Sequence, residues 1–213
     1  SSIVQAFVFG GIAGIETDGV PMLLFYLCSN AIWIYFSSSV TKNAHTFVSN
    51  AGVFGKVYFP RLATPISNVL SSVIQFGIQM MLVLIFMVVY LIKGQVHPNW
   101  AAWALIPPVL IHLGVLGLSC GIVISSLTTK YRDLSILVTF GVQLWSSVGE
   151  GWLKTIFMVN PVTPAVELLR YALLGQGSVH WGFYFLSVVL TVVLFLFGVM
   201  TFNRVEKTFM DTV

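Results

Sequence analysis

The sequence predicts an all-α, polytopic transmembrane helix bundle, and three observations predict it. Only 8% of the 213 residues are charged, while 57% are hydrophobic and the mean hydropathy is +0.94. A water-soluble domain carries about 25% charge, so this chain has too few charges to cover a surface in water. The apolar residues also fall into charge-free runs of bilayer-spanning length, and the polar breaks between those runs are short. Length alone permits one or two domains. With no polar block large enough to fold separately, residues 1–213 form one transmembrane domain.

Crossing about 30 Å of hydrocarbon takes roughly 20 apolar residues. The charge-free runs are Gly19–Thr41, Leu62–Ile92, Trp100–Thr129, Leu134–Gly149 and Tyr171–Asn203. Ser1–Ala13 is also uncharged and reads as the tail of a helix that begins before Ser1, which makes six spans with the first one truncated. If that first run ends outside, Lys42, Lys56, Arg61, Lys130, Arg132, Arg204 and Lys207 share one face, against Lys93, Lys154 and Arg170 on the other. Basic residues concentrate on the cytoplasmic side, so the larger group and the C-terminus are expected there. The Glu16-Thr17-Asp18 loop and the Lys93–Asn99 turn then lie outside.

Aromatic residues gather at membrane interfaces. Trp33 and Tyr35 are expected near the inner end of the second span, and Tyr90, Trp100 and Trp103 near the outer boundary. Gly117, Gly121 and Ser125 follow small-xxx-small spacing, which lets helix backbones approach closely. Two regions do not read as simple spans. Thr41–Pro65 is a long cytoplasmic connection mixing basic and aromatic residues, as in helices that lie at the interface. Glu150–Tyr171 holds Pro161 and Pro164, which suit first helical turns. Irregular backbone at membrane depth survives only when it is buried in protein or lines a cavity, so this region reads as a re-entrant or outer-face hairpin. Glu167 and Arg170 stand at i, i+3 and are spaced to pair on its helix.

Several chemistries are excluded. The net charge of +3 comes from basic residues scattered singly between apolar runs, so there is no patch for nucleic acid. Cys28 and Cys120 lie within apolar stretches and read as packing residues. Gly52-Val53-Phe54-Gly55-Lys56-Val57 only imitates a phosphate-binding loop, because it lacks the Ser or Thr that holds magnesium. His45, His97, His112 and His180 are isolated, and no metal site is expected. Asp and Glu are absent from the interior of every full span, unlike carriers that couple to protons or ions. His112 lies well inside a span and has two readings, a hydrogen-bonded packing residue or a pathway-lining one.

The polar segments carry a resemblance. Asn50-Ala51-Gly52-Val53-Phe54-Gly55-Lys56-Val57-Tyr58-Phe59-Pro60-Arg61-Leu62 resembles the N-x-x-L-I-x-K-V-Y-F-P-R segment of polysaccharide-exporting ABC permeases. Tyr131-Arg132-Asp133 is similar to that family's Y-R-D turn. Asn160-Pro161 followed by Glu167-Leu168-Leu169-Arg170-Tyr171-Ala172-Leu173-Leu174-Gly175 resembles its N-P-x…E-x-x-R-x-x-L-x-G segment. The ending Phe202-Asn203-Arg204-Val205-Glu206-Lys207-Thr208-Phe209-Met210-Asp211 resembles F-x-R-x-E-x-x-F-x-D. The four stand in the family's order over nearly the whole chain.

The resemblance implies a type 2 ABC transporter permease that exports O-antigen, capsule or teichoic-acid polymers on a polyprenyl lipid across the bacterial cytoplasmic membrane. It implies a homodimer of six-span subunits carrying two separate nucleotide-binding ATPase subunits. No cofactor belongs to this chain on that reading; ATP and magnesium sit in the partner. Asn50, Lys56, Val57, Tyr58, Phe59, Pro60 and Arg61 would form the coupling helix and Tyr131, Arg132 and Asp133 a cytoplasmic turn. Asn160, Pro161, Glu167 and Arg170 would belong to the extracytoplasmic gate helices. Two departures stand out. The family has an amphipathic interface helix and a complete first span before the position of Ser1. Its fifth span also continues into a P-V-x-Y-P segment, whereas here Trp145-Ser146-Ser147-Val148-Gly149 runs straight into Glu150-Gly151-Trp152. That, with the short run Leu134–Gly149, suggests residues missing near Ser146–Ser147.

Residue chemistry supports the coupling assignment. A permease without its own phosphate-binding loop needs a cytoplasmic surface that senses its partner. Tyr58, Phe59 and Pro60 suit a groove, and Lys56 and Arg61 add charge complementarity; the competing reading is an interfacial anchor on lipid headgroups. A glycan path needs aromatic faces with polar tips, which makes Trp33, Tyr35 and Phe36 the candidate lining, with Ser37 and Ser38 beside them. The alternatives are a lipid- or drug-exporting ABC permease, a membrane enzyme acting on polyprenyl-linked substrates, and a structural membrane subunit.

Overall fold

The computed structural model describes residues 21–46, 63–130, 160–175 and 179–210. Its helices are α1 (Met22–Ala44), α2 (Ala63–Ile92), a 3-10 helix (Trp100–Leu105), α3 (Ile106–Lys130), α4 (Thr163–Leu174) and α5 (Trp181–Met210). Among the described residues, four stretches are long and apolar enough to cross a membrane, namely Met22–Ala44, Ala63–Ile92, Trp100–Leu127 and Trp181–Arg204. The expected spans at Ser1–Ala13 and Leu134–Gly149 lie outside the described residues. All described regular structure is helical, as the composition predicts for backbone that must satisfy its own hydrogen bonds in lipid.

Two boundaries differ from the charge-free runs. Tyr171–Asn203 is not one helix: α4 stops at Leu174, Gly175 takes a left-handed φ of 70°, and α5 starts at Trp181. Absence of charge hides a reversal that only a residue without Cβ makes cheaply. Trp100–Thr129 opens with a 3-10 turn capped by Asn99, whose Oδ1 accepts from the Ala102 amide at 3.4 Å. The α-helix then begins at Ile106, with Pro107 and Pro108 in its first turn where proline costs no hydrogen bond.

Side-chain pairings give the helix directions. Tyr35, Ser39 and Asn43 of α1 face Gly114, Gly117 and Gly121 of α3 in the same order, so these helices run parallel. Gly198 and Phe202 of α5 pack at Ile122 of α3, and His112 meets Ser187 and Thr191, so α5 is parallel to both. α2 is antiparallel to α1: Asn68 bonds Asn43 at 3.2 Å, while Gln75 reaches Ser38 at 3.3 Å. α3 is the central helix, between α1 and α5.

Packing follows membrane physics. Lipid supplies no hydrophobic drive for helices to associate, so close approach at small residues has to supply it. A Cβ on Gly117 would stand 2.8 Å from that of Ser39, and one on Gly114 would stand 2.6 Å from the Tyr35 hydroxyl. The small-xxx-small spacing is therefore the α1–α3 seam, continued by buried Ser125. Several hydroxyls within spans are satisfied on their own helix: Ser39 donates to Tyr35, Ser119 to Val115, Ser126 to Ile122 and Thr201 to Phe197. The outer faces of α2 and α5 expose Ile74, Ile78, Met81, Ile85, Val189, Val193, Leu196 and Phe197, a surface suited to lipid.

Candidate functional site

The described candidates fall in two places. At one end of the bundle α4 is seated against the 3-10 helix. It is 12 residues long, about 18 Å, too short to cross a bilayer. Its start is built by Asn160, whose Oδ1 accepts from the Val162 amide at 3.0 Å while its carbonyl takes the Thr163 amide at 3.2 Å. Pro164 occupies the first turn, as the sequence predicts for a half-helix start. One face of α4, with Ala165, Leu168, Leu169, Ala172, Leu173 and Leu174, is buried in protein. Thr163, Glu167, Arg170 and Tyr171 are partly exposed along the other edge. This is the condition under which a non-spanning segment is tolerated at membrane depth.

Four contacts fix α4. The Arg170 guanidinium lies over the Phe25 ring of α1 at 4.2 Å from the centroid. Asn99 Nδ2 donates to the Tyr171 hydroxyl at 3.0 Å. Gly175 sits so close to the His97 carbonyl that a Cβ there has no room. The Ser187 hydroxyl of α5 donates to the Pro161 carbonyl at 2.5 Å. The predicted outer boundary gathers at the same end: Trp100 and Trp103 pack with centroids 4.9 Å apart, and Lys93 lies over Tyr90 at 5.5 Å.

The second place is the middle of α1. Trp33 stands at the helix midpoint, not its inner end, because α1 begins only at Met22 and continues past Thr41 to Ala44. Lys42 does not end it, since its Nζ reaches the Ser71 hydroxyl of α2 at 3.3 Å. Tyr35 turns into the core: it is 2% exposed, donates to the Leu110 carbonyl at 3.3 Å, and packs at 5.5 Å from Phe76. Trp33 and Phe36 remain partly exposed and lie 5.9 Å apart. The three aromatics are thus split between two environments, and only Trp33 and Phe36 retain open surface.

The coupling residues Asn50, Lys56, Val57, Tyr58, Phe59, Pro60 and Arg61, and the turn Tyr131, Arg132 and Asp133, lie outside the described residues. Among the described residues no group of three His, Cys, Asp or Glu side chains is placed to hold a metal ion. Sequence reasoning missed Phe25, His97, Asn99, Ser187 and Thr191. Ser187 and Thr191 carried a readable signal, two hydroxyls at i, i+4 in an otherwise apolar span; the others take meaning only from the tertiary contact.

A bundle of membrane-spanning helices with one short, half-buried helix docked at its end defines a polytopic membrane domain. The chain matches the ABC-2 type transporter family over residues 1–174, most of its length, and belongs to that family. It is a transporter membrane subunit, and membership implies an ABC transporter working with ATPase partners. It is 26% identical over 192 residues to an O-antigen export system permease protein RfbA of Klebsiella pneumoniae, covering 84% of this chain and 71% of that one. A second RfbA of Klebsiella pneumoniae is 22% identical over 220 residues, covering 99% of this chain and 82% of the relative. The RfbA of Myxococcus xanthus is 25% identical over 131 residues, 60% of this chain and 48% of its own length.

Proposed function

We propose that this chain is the transmembrane subunit of an ABC exporter that moves a polyprenyl-diphosphate-linked polysaccharide of O-antigen type across the cytoplasmic membrane. It works as a homodimer with its C-terminus in the cytoplasm. ATP hydrolysis takes place in two separate partner subunits that dock on the surface around Asn50–Arg61 and Tyr131–Asp133. The observation that carries the reading is α4, a helix too short to span, buried on its apolar side, with Thr163, Glu167 and Arg170 along its partly exposed edge. Such an element is suited to closing the outer mouth of a wet path against water. Trp33 and Phe36 supply aromatic surface for sugar C–H faces, and Tyr35 holds the α1–α2–α3 packing behind them. The chain's similarity to O-antigen export permeases favours a glycan over a drug or an unmodified lipid.

The test is co-purification and reconstitution with the candidate ATPase, comparing wild type with Phe59→Ala/Arg61→Ala. The expected result is ATP hydrolysis by the intact pair, and loss of assembly or stimulation in the double variant while the permease stays folded. An ATPase that binds and is stimulated equally by both proteins removes the coupling assignment. A permease that moves polymer with no ATPase bound removes the exporter reading itself.

A further inference from the structure

Among the described residues, His112 is the only acidic or basic side chain in the interior of a membrane-spanning helix. It is 8% exposed, with the Tyr184 ring edge-on at 5.4 Å. Its Nε2 lies 2.9 Å from Thr191 Oγ1 and 3.2 Å from Ser187 Oγ. The directions of these bonds follow from counting protons. Thr191 donates to the Ser187 carbonyl at 2.8 Å, and Ser187 donates to the Pro161 carbonyl at 2.5 Å. A hydroxyl has one proton, so both oxygens must accept from His112. That places the imidazole proton on Nε2, shared between two acceptors, and leaves Nδ1 a bare lone pair. Nδ1 is indeed buried without a partner. A second proton there would be a buried donor with nothing to receive it, the costly case for a polar group out of water.

The chain of bonds ends at an informative place. Pro161 directly precedes Val162, the N-cap of α4, and its carbonyl takes its hydrogen bond from α5. Three elements that are remote in sequence thus meet at one junction: α3 through His112, α5 through Ser187 and Thr191, and the start of α4 through Pro161. Without the Nε2–H, the Ser187 oxygen loses the donor on one side and its rotor is free to return to its own helix. Serine in a span does this readily, as Ser39, Ser119 and Ser126 do here.

We propose that His112 is a positioning residue for the outer gate: a neutral imidazole, protonated on Nε2, that orients the Ser187 hydroxyl toward Pro161 and thereby sets where α4 begins against α3 and α5. Its bearing on export rests on the gate reading of α4, whereas the positioning itself does not.

Two measurements on the full chain in lipid bilayers test it. In a His45→Gln/His97→Gln/His180→Gln background, solid-state nitrogen NMR of the single remaining imidazole is expected to show the proton on Nε2. An Nδ1–H tautomer or an imidazolium at neutral pH overturns the proposal. Spin labels at Thr163→Cys and Gly182→Cys, with Cys28 and Cys120 replaced by Ala, report the seat of α4 on α5; a side chain at Gly182 meets only open space. Wild type is expected to give one narrow distance, which broadens in His112→Leu and in Ser187→Ala. His112→Gln keeps an N–H donor of similar reach and is expected to restore the narrow distance, an outcome that mere filling of space would not produce. Equal distances in all four proteins, or Gln as broad as Leu, overturn the proposal. Where the Leu protein fails to fold, the Ser187→Ala distance and the wild-type tautomer decide it. Export through the ATPase-bound complex is expected to fall roughly tenfold with the broadening. A broadened seat with unchanged export keeps the tie and removes the gate role of α4.

Discussion

Gly121→Ala tests the α1–α3 seam on which both candidate regions depend. A Cβ at Gly121 would fall inside contact distance of the Asn43 Cβ and 3.1 Å from the Val40 carbonyl. Neither neighbour is the loose end of a side chain. Asn43 is fully buried, and its Oδ1 accepts from Asn68, so it cannot turn aside without opening the α1–α2 contact as well. The added methyl must push two helices apart, and such overpacking costs about 1–3 kcal/mol. Spans remain helical when they separate in a bilayer, so the better helix propensity of alanine, about 1 kcal/mol in water, largely cancels between the two states. At about 2 kcal/mol the ratio of folded to unfolded protein falls about 30-fold. Gly77→Ala is the internal control, because nothing lies within 4 Å of its added Cβ. Reversible unfolding in bicelles should place Gly121→Ala well below wild type and leave Gly77→Ala within about 0.5 kcal/mol of it. A Gly121→Ala protein as stable as wild type, or a Gly77→Ala protein equally damaged, would refute the close-approach argument.

Gly175→Ala combines a left-handed φ of 70° with a Cβ driven into the His97 backbone carbonyl. Conformation alone costs about 1–2 kcal/mol, so a loss above about 2 kcal/mol is expected once the overlap is added; thermal unfolding in detergent measures it. Tyr35→Ala should lower stability by about 3–5 kcal/mol as a buried aromatic, whereas Trp33→Ala and Phe36→Ala should lower export at nearly wild-type stability. Parallel unfolding and surface-glycan measurements separate the two classes, and unchanged export in both exposed variants ends the lining role.

The spans were legible because hydrocarbon demands the same thing of every crossing: about 20 residues without charge. Three of the runs accordingly match helical stretches to within a few residues; the fourth, Tyr171–Asn203, does not, because Gly175 hides a break inside an uncharged stretch. The Gly175-Gln176-Gly177-Ser178 cluster was the available signal. Facing was much less legible. The polar and apolar residues of α1 are not segregated to opposite faces, so no stripe told Tyr35, turned inward, from Trp33 and Phe36. His112 could be singled out as polar and deep, but its partners stand 75 and 79 residues away. The start of α4 was legible because Asn160 and the prolines act on their own backbone. What α4 docks against was not, because Phe25, His97 and Asn99 are ordinary residues until the fold brings them to it.

If α4 gates export, its motion is constrained by how it is held. A 12-residue helix is marginal by itself, and this one depends on its contacts with α1, the 93–105 connection and α5. Swinging α4 out alone would break the contacts at Arg170, Tyr171, Gly175 and Pro161 together. Lifted into the water at the end of the bundle, it would also expose Leu168, Leu169, Leu173 and Leu174, each 1% exposed as packed. At about 1.5–3 kcal/mol per side chain, the leucines alone amount to about 6–12 kcal/mol. The lifted state would then be at least about ten-thousandfold less populated than the seated one. α4 carried as a rigid piece of its own bundle breaks none of these contacts, and this second motion is the one the energetics favour. The two are separable: Asn99→Cys/Tyr171→Cys joined by a short bis-methanethiosulfonate linker ties α4 to the connection it already touches. A gate that moves with the bundle keeps exporting when linked and recovers nothing when the linker is reduced. A flap that lifts by itself stops when linked and restarts on reduction, and that result would overturn the argument.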